Sequence, residues 1–318
     1  MENYFSNVFI SCGYFRILIF DAQQHTYNFV SRKTIDVNNC QYNSDYQIPL
    51  VNRKSHYRNL IVDIDTDTLT NTYEDILCKM ICGLLCNSVQ FRCVGSGKIM
   101  NLLNKIRKLH IVENLEILIS EAQLCDELIL VLNHFNYSNL IIICPTVKHL
   151  KYQSINYNPF ETNKEFYCFQ FNLQFYIEAQ FTNPYYYNKL YVDFHGNIYN
   201  SPELTGQRIC RVYDNILQIK RALDEYNSHN VCLTPKVQIE ICKDCELRFV
   251  CMDNRLVENN KLYYYYKRSC PYNPYICLWE GQDGYVPVKQ CGTYSHETGF
   301  IPDKKRIAEL NKKIWGEE

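Results

Sequence analysis

The chain has 318 residues, 47% hydrophobic and 21% charged, which allows two packed domains and excludes a disordered chain. A net charge of −1 creates no general field for nucleic acid or acidic lipid, so neither is expected as a partner. Seventeen cysteines, an odd number spread along the chain and into apolar runs, exclude a small disulfide scaffold and point to a reducing compartment, read as cytoplasmic. Apolar runs at 8–10, 15–20 and 27–30, split by Cys12-Gly13 and by 22–26, predict a β-hairpin element at the N-terminus. The stretch 8–20 lacks a basic leader, contains Arg16 and is too short for a bilayer, so neither signal peptide nor membrane span is expected. Residues 36–57 are polar and without clear periodicity.

From Asn59 the pattern alternates. Strands are predicted over 60–65, 89–94, 115–120 and 140–144, and helices over 72–86, 99–109 and 124–135. Three strand–helix units and a further strand imply parallel strands joined by right-handed crossovers, an α/β layer or part of a barrel. Near residue 150 the alternation stops. The segment 166–181 reads as extended, and 190–194 with 197–200 flank a His195-Gly196 turn as a hairpin. A helix over 215–224 leads to a cysteine module, and a basic amphipathic helix over 303–314 follows it. The expected division is an N-terminal element at 1–57, an α/β half at 58–180 and a cysteine-rich domain at 181–318.

The cysteine module carries the clearest chemistry. Cys242, Cys245 and Cys251 form C-x2-C-x5-C, and Cys270 returns after eighteen intervening residues. Two thiolates two residues apart grip one metal centre from a tight turn, and the later pair closes the shell. Soft thiolates select zinc or iron–sulfur over hard cations. No catalytic acid, base or nucleophile can be assigned from spacing. Glu246 and Arg248 are read either as groups bonded to neighbouring backbone or ion-paired beside the site, or as surface charge.

This third of the chain resembles the SPASM domain, the cluster-binding extension of many radical S-adenosylmethionine enzymes that modify ribosomally made peptides. That motif has a Cys, then G-x4-C, then C-x2-C-x5-C-x3-C and a final Cys. Here the C-x3-C step ends in Arg255 and the G-x4-C step, begun at Gly196, ends in Ser201. In SPASM enzymes with two auxiliary clusters, the positions lost here serve the first cluster, and the four retained correspond to those that serve the second. The stretches D-F-H-G-N-I-Y-N-S-P-E at 193–203, C-E-L-R-F-V-C-M-D-N-R at 245–255, C-P-Y-N-P-Y at 270–275 and L-W-E-G at 278–281 resemble the SPASM-domain peptide maturase of grasp-with-spasm systems. N-L-I-V-D-I-D at 59–65 and V-Q-F-R at 89–92 fit it too. The resemblance implies one [4Fe–4S] cluster on Cys242, Cys245, Cys251 and Cys270, with zinc as the alternative. It implies an α/β half that is a partial (β/α)-barrel remnant, and a role in peptide maturation with a precursor peptide and an ATP-grasp ligase as partners. An active maturase using the cluster as electron relay, or a zinc-stabilised interaction module, are the other readings.

A radical S-adenosylmethionine centre of the usual kind is not expected. The nearest triplet, Cys78, Cys82 and Cys86, is spaced C-x3-C-x3-C, which stacks three thiols on one helix face as core cysteines. Asp63, Asp65, Asp67, Asn71 and Glu74 approximate a calcium-loop spacing but have Thr68 where the turn glycine belongs, and read as a solvated loop. Gly95-Ser96-Gly97-Lys98 lacks the full phosphate-loop spacing, although amides at a helix N-terminus after a strand can hold an anion.

Overall fold

The structure is a computed structural model that describes residues 8–24, 26–33, 57–97, 99–120, 123–133, 135, 137–143, 153–155, 159–160 and 166–316. They divide into two compact units, each discontinuous in sequence. The α/β unit takes the described residues of Val51–Lys164 and Asn188–His229; the cysteine unit takes those of Met1–Leu50, Glu165–Tyr187 and Asn230–Glu318. The polar stretch 36–57 lies outside the described residues except for Tyr57.

The three N-terminal apolar runs become β1 (Val8–Cys12), β2 (Arg16–Asp21) and β3 (Thr26–Ser31), an antiparallel meander in that order. The central strand β2 buries Ile17, Leu18 and Phe20, while Tyr27 and Phe29 on β3 remain exposed. The expected hairpin is thus a three-stranded sheet, and it belongs to the cysteine unit.

In the α/β unit the alternation yields β4 (Asn59–Asp65), α1 (Asn71–Leu84), β5 (Ser88–Val94), α2 (Met100–Arg107), β6 (Asn114–Ser120), α3 (Asp126–Leu132), β7 (Tyr137–Ile143) and β8 (Gln153–Ile155). Strands β4 to β8 pair in parallel. Their near-continuous apolar runs are the mark of parallel strands covered by helices. Leu60, Val62 and Ile64 on β4, with Val89 and Phe91 on β5, pack against Leu77 and Ile81 of α1 and Leu103 and Ile106 of α2 in one core. Thr70 caps α1 by accepting the Tyr73 amide at 3.3 Å.

Two segments depart from expectation. After β9 (Tyr167–Phe169), the stretch expected to be extended forms α4 (Leu173–Phe181), started by Asn172, whose side chain accepts the Phe175 amide at 2.9 Å. The predicted hairpin forms as β10 (Lys189–Val192) and β11 (Asn197–Tyr199), with Gly196 at φ +74° in the turn. Grouped with the C-terminal segment on sequence, this hairpin instead extends the α/β sheet. β10 pairs in parallel with β4, and β12 (Cys210–Arg211) pairs with β11. The eight-stranded order is β12-β11-β10-β4-β5-β6-β7-β8, a mostly parallel sheet whose described strands do not close into a barrel. Helix α5 (Ile216–His229) buries Ile219 and Leu223 in its core.

The remainder of the cysteine unit is built from short antiparallel pairs. β13 (Cys251–Asp253) pairs with β9, and β14 (Val257–Asn259) with β15 (Tyr264–Tyr266). β16 (Tyr272–Asn273) pairs with β17 (Leu278–Trp279), and β18 (Gly292–Ser295) with β19 (Gly299–Pro302). Helix α6 (Lys304–Trp315), capped by Asp303, buries Ile307 and Leu310 and donates from Asn311 Nδ2 to the Tyr275 carbonyl at 2.9 Å. Among the described residues no helix is long and apolar enough to cross a membrane.

Candidate metal centre

Local backbone turns bring the cysteines together. Ile241, at φ +69°, feeds a short 3-10 turn from Cys242 to Asp244, and the Cys245 amide donates to the Cys242 carbonyl at 3.0 Å. A second turn follows, with the amides of Val250 and Cys251 both donating to the Leu247 carbonyl at 3.0 and 2.9 Å. Cys251 then opens β13, and the β14–β15 pair returns the chain to Cys270. Cys242, Cys245, Cys251 and Cys270 all line one cavity, walled on its apolar side by Phe169, Tyr272 and Trp279. Among the described residues, no three or more His, Cys, Asp or Glu side chains are placed to hold a metal ion.

Donors approach the sulfurs from several directions. The Tyr272 amide lies 3.4 Å from Cys270 Sγ, Lys236 Nζ 3.6 Å from Cys251 Sγ, and an Arg255 terminal nitrogen 3.8 Å from Cys242 Sγ. Asp253 binds both cations, with Arg255 Nε at 3.1 Å and Lys236 closer still. Against the cost of burial, Lys236 and Arg255 hold the Asp253 carboxyl well below the usual carboxylate range. Burial pushes the Cys251 thiol up to about 12 and raises Cys270 and Cys245, so without a bound cation these groups keep their protons. A metal bound there would have to displace them.

Glu246 is not surface charge. Fully buried, it accepts from Arg16 Nε of β2 at 2.5 Å and from the Tyr272 hydroxyl. Arg248 donates to the carbonyls of Cys12 and Cys245 at 2.8 and 2.7 Å. Gly13 permits this close approach, since a Cβ there would lie 2.7 Å from the Glu246 amide nitrogen. The N-terminal meander is thereby fastened to the C-x2-C loop. Lys236, Asp253 and Arg16 escaped the sequence reading. Its one available hint was Arg255, at a position where the related motif has a cysteine.

The weaker sequence candidates resolve as structure. The α1 helix ends at Leu84 and Leu85 takes φ +55°, so Cys86 leaves the helical register. Cys78 and Cys86 are core residues, but Cys82 is exposed and does not share their environment. The calcium-like acids disperse. Asp63 forms a buried bidentate pair with Arg92, at 2.5 and 2.8 Å, and accepts from Tyr191, while Glu74 is buried beside Lys105 at 3.0 Å. At Gly95–Gly97 the anion is the chain's own Asp67, which accepts the Ser96 amide at 2.9 Å and its hydroxyl at 3.1 Å. Lys98 lies outside the described residues. His195 is exposed, and its amide donates to Asp193 in the turn.

The α/β unit has its own cavity, about 670 Å³, at the N-terminal ends of its parallel strands. Asn59, Ser88, Gln90, Glu116, Asn139 and Lys189 contribute polar lining. Glu116 already accepts from both Gln90 and Asn139. Open α/β sheets place ligands at the opposite, carboxyl ends of their strands.

Compared with known proteins, the chain matches no protein-family model, no curated protein and no solved structure.

Proposed function

We propose that this chain is a SPASM-type peptide-maturation protein that holds one [4Fe–4S] cluster on Cys242, Cys245, Cys251 and Cys270 and binds or presents a precursor peptide beside an ATP-grasp ligase. The observation that carries the reading is the gathering of these four thiols around one cavity with Lys236, Arg255 and the Tyr272 amide near their sulfurs. Such donors stabilise thiolates, the form in which cysteine ligates. Four thiolates suit a [4Fe–4S] cluster and a tetrahedral zinc alike, and the resemblance favours the cluster. With every iron bound by a protein thiolate, the cluster supplies electron transfer or structural closure and no open Lewis-acid position. The mostly parallel sheet of the α/β unit is read as a reduced barrel that serves as scaffold. Its cavity lies at the strand ends opposite to where such sheets take ligands, and so lends no support to the second reading, an active maturase.

The deciding experiment is anaerobic purification with iron, sulfide and zinc assays and a visible spectrum. About four irons per chain and a broad brown absorption, both lost in Cys242→Ala, support the cluster. One zinc and no sulfide would replace it by a structural zinc module. The β3 edge, where Tyr27 is half-exposed and stacks on Phe171, is the candidate surface for an extended peptide. Deleting residues 1–35 would remove Arg16 and disturb Glu246, so Tyr27→Ser is the cleaner probe. Unchanged precursor affinity in that variant would reject the edge.

A further inference from the structure

Where the related motif ends in a cysteine, this chain turns a cation onto the remaining thiols. The Arg255 guanidinium carbon sits over the Tyr266 ring, 4.0 Å from its centroid, with one nitrogen 3.8 Å from Cys242 Sγ. Lys236 approaches from a different segment, 3.6 Å from Cys251 Sγ, and its side chain is 1% exposed. Asp253, 3% exposed, binds both. One carboxylate between two buried cations leaves a surplus of one positive charge. A buried charge without a partner is costly, and the groups within reach of the two cations, Cys242 and Cys251, become anionic when they ligate.

We propose that Lys236 and Arg255, bridged by Asp253, form a charge clamp that sets the redox poise of the four-thiolate site and favours its reduced, more negative state. This rests on the cluster reading above. Reduction adds one electron, drawn from a low-potential one-electron donor, and moves no atom. A four-thiolate cluster is already anionic, so the added electron must be held against its charge. Net charge and hydrogen bonds to sulfur are levers on such potentials. Both cations work in a dry wall, where an effective dielectric of about 20 leaves a unit charge several-fold stronger than in water. The clamp residues touch ligand sulfurs and not the reacting substrate, so they position charge.

The test is a redox titration of the full chain, reconstituted without oxygen and followed by visible bleaching and electron paramagnetic resonance, with dithionite as reductant. At the wild-type midpoint, the reduced-to-oxidised ratio of Arg255→Gln and of Lys236→Met should each be at least tenfold lower, a shift of about 59 mV for one electron. Arg255→Lys keeps the charge and should stay within about threefold of wild type. Asp253→Asn removes the opposing charge and should shift the potential the other way. Wild-type midpoints in iron-loaded Arg255→Gln and Lys236→Met overturn the clamp alone. Should those variants not load iron, Asp253→Asn decides, and an unshifted midpoint overturns the proposal. Zinc without sulfide in the wild type sinks the cluster reading and the clamp with it.

Discussion

Removing the Arg16 guanidinium should weaken the cysteine unit more than removing the charge of its partner. Glu246 is 0% exposed and Arg16 22% exposed, and they meet at 2.5 Å. The same Glu246 oxygen takes the Tyr272 hydroxyl, while Oε2 is buried with no hydrogen-bond partner. Arg16→Met therefore strands a buried carboxylate on one hydroxyl donor. Breaking a buried pair from one side costs about 3–5 kcal/mol, and some water access through the Arg16 opening places this case near about 3. In Glu246→Gln the orphaned guanidinium can still reach water, and the cost falls to about 1–2 kcal/mol. With urea m-values of about 1–3 kcal/mol/M, Arg16→Met lowers the midpoint by roughly 1–3 M. The assay is convenient, because the two tryptophans, Trp279 and Trp315, both lie in the cysteine unit and their fluorescence follows it. The double variant should be no weaker than Arg16→Met. A loss below about 1 kcal/mol in Arg16→Met, or a larger loss in Glu246→Gln, would refute the reasoning.

Three further outcomes are expected. Gly13→Ala pushes a Cβ to 2.7 Å from the Glu246 amide nitrogen and 2.8 Å from its Cβ, and should cost about 1–3 kcal/mol in the same fluorescence assay. Native-state alkylation read by mass spectrometry should label Cys82 and spare Cys78 and Cys86; labelling of Cys86 before unfolding would contradict its burial. Alkali should destabilise the α/β unit, because burial raises Cys86 and Cys93 from 9.0 to about 12. The folded state holds these protons more tightly, so the stability is fully present below pH 9 and is lost as pH rises toward about 12. The slope is up to about 1.4 kcal/mol per pH unit for each thiol. Circular dichroism of urea unfolding at pH 8 to 11 should show that loss, with a flatter slope in Cys86→Ala/Cys93→Ala.

The α/β alternation was legible because helix-covered parallel strands carry apolar runs and the helices between them carry a 3.6-residue period. Helix α4 was not, since Leu173, Phe175, Tyr176, Ile177 and Phe181 read as strand formers and the helix has little polar face. Asn172 was the available signal, a capping residue before the run. That four cysteines face one cavity could be read because local turns gather residues of short spacing. Their surroundings could not. Lys236 reaches Asp253 across 17 positions, and Arg16 reaches Glu246 across 230, separations that no local pattern encodes. The same limit hid the interleaved units, because membership of β1–β3 in the cysteine unit rests on contacts and not on chain proximity.

That separation of 230 positions between Arg16 and Glu246 has a consequence during synthesis. At about 5–20 residues per second, roughly 10–50 s pass between the appearance of one partner and the other. Over that interval the whole described α/β unit emerges with its own core, while β2 holds out Leu18 and Phe20 with their packing partners Leu247, Val250 and Tyr272 still unmade. The N-terminal strands therefore wait for these partners before their core can close. Packing of the cysteine unit becomes a late event of biogenesis, gated by translation of the last quarter of the chain.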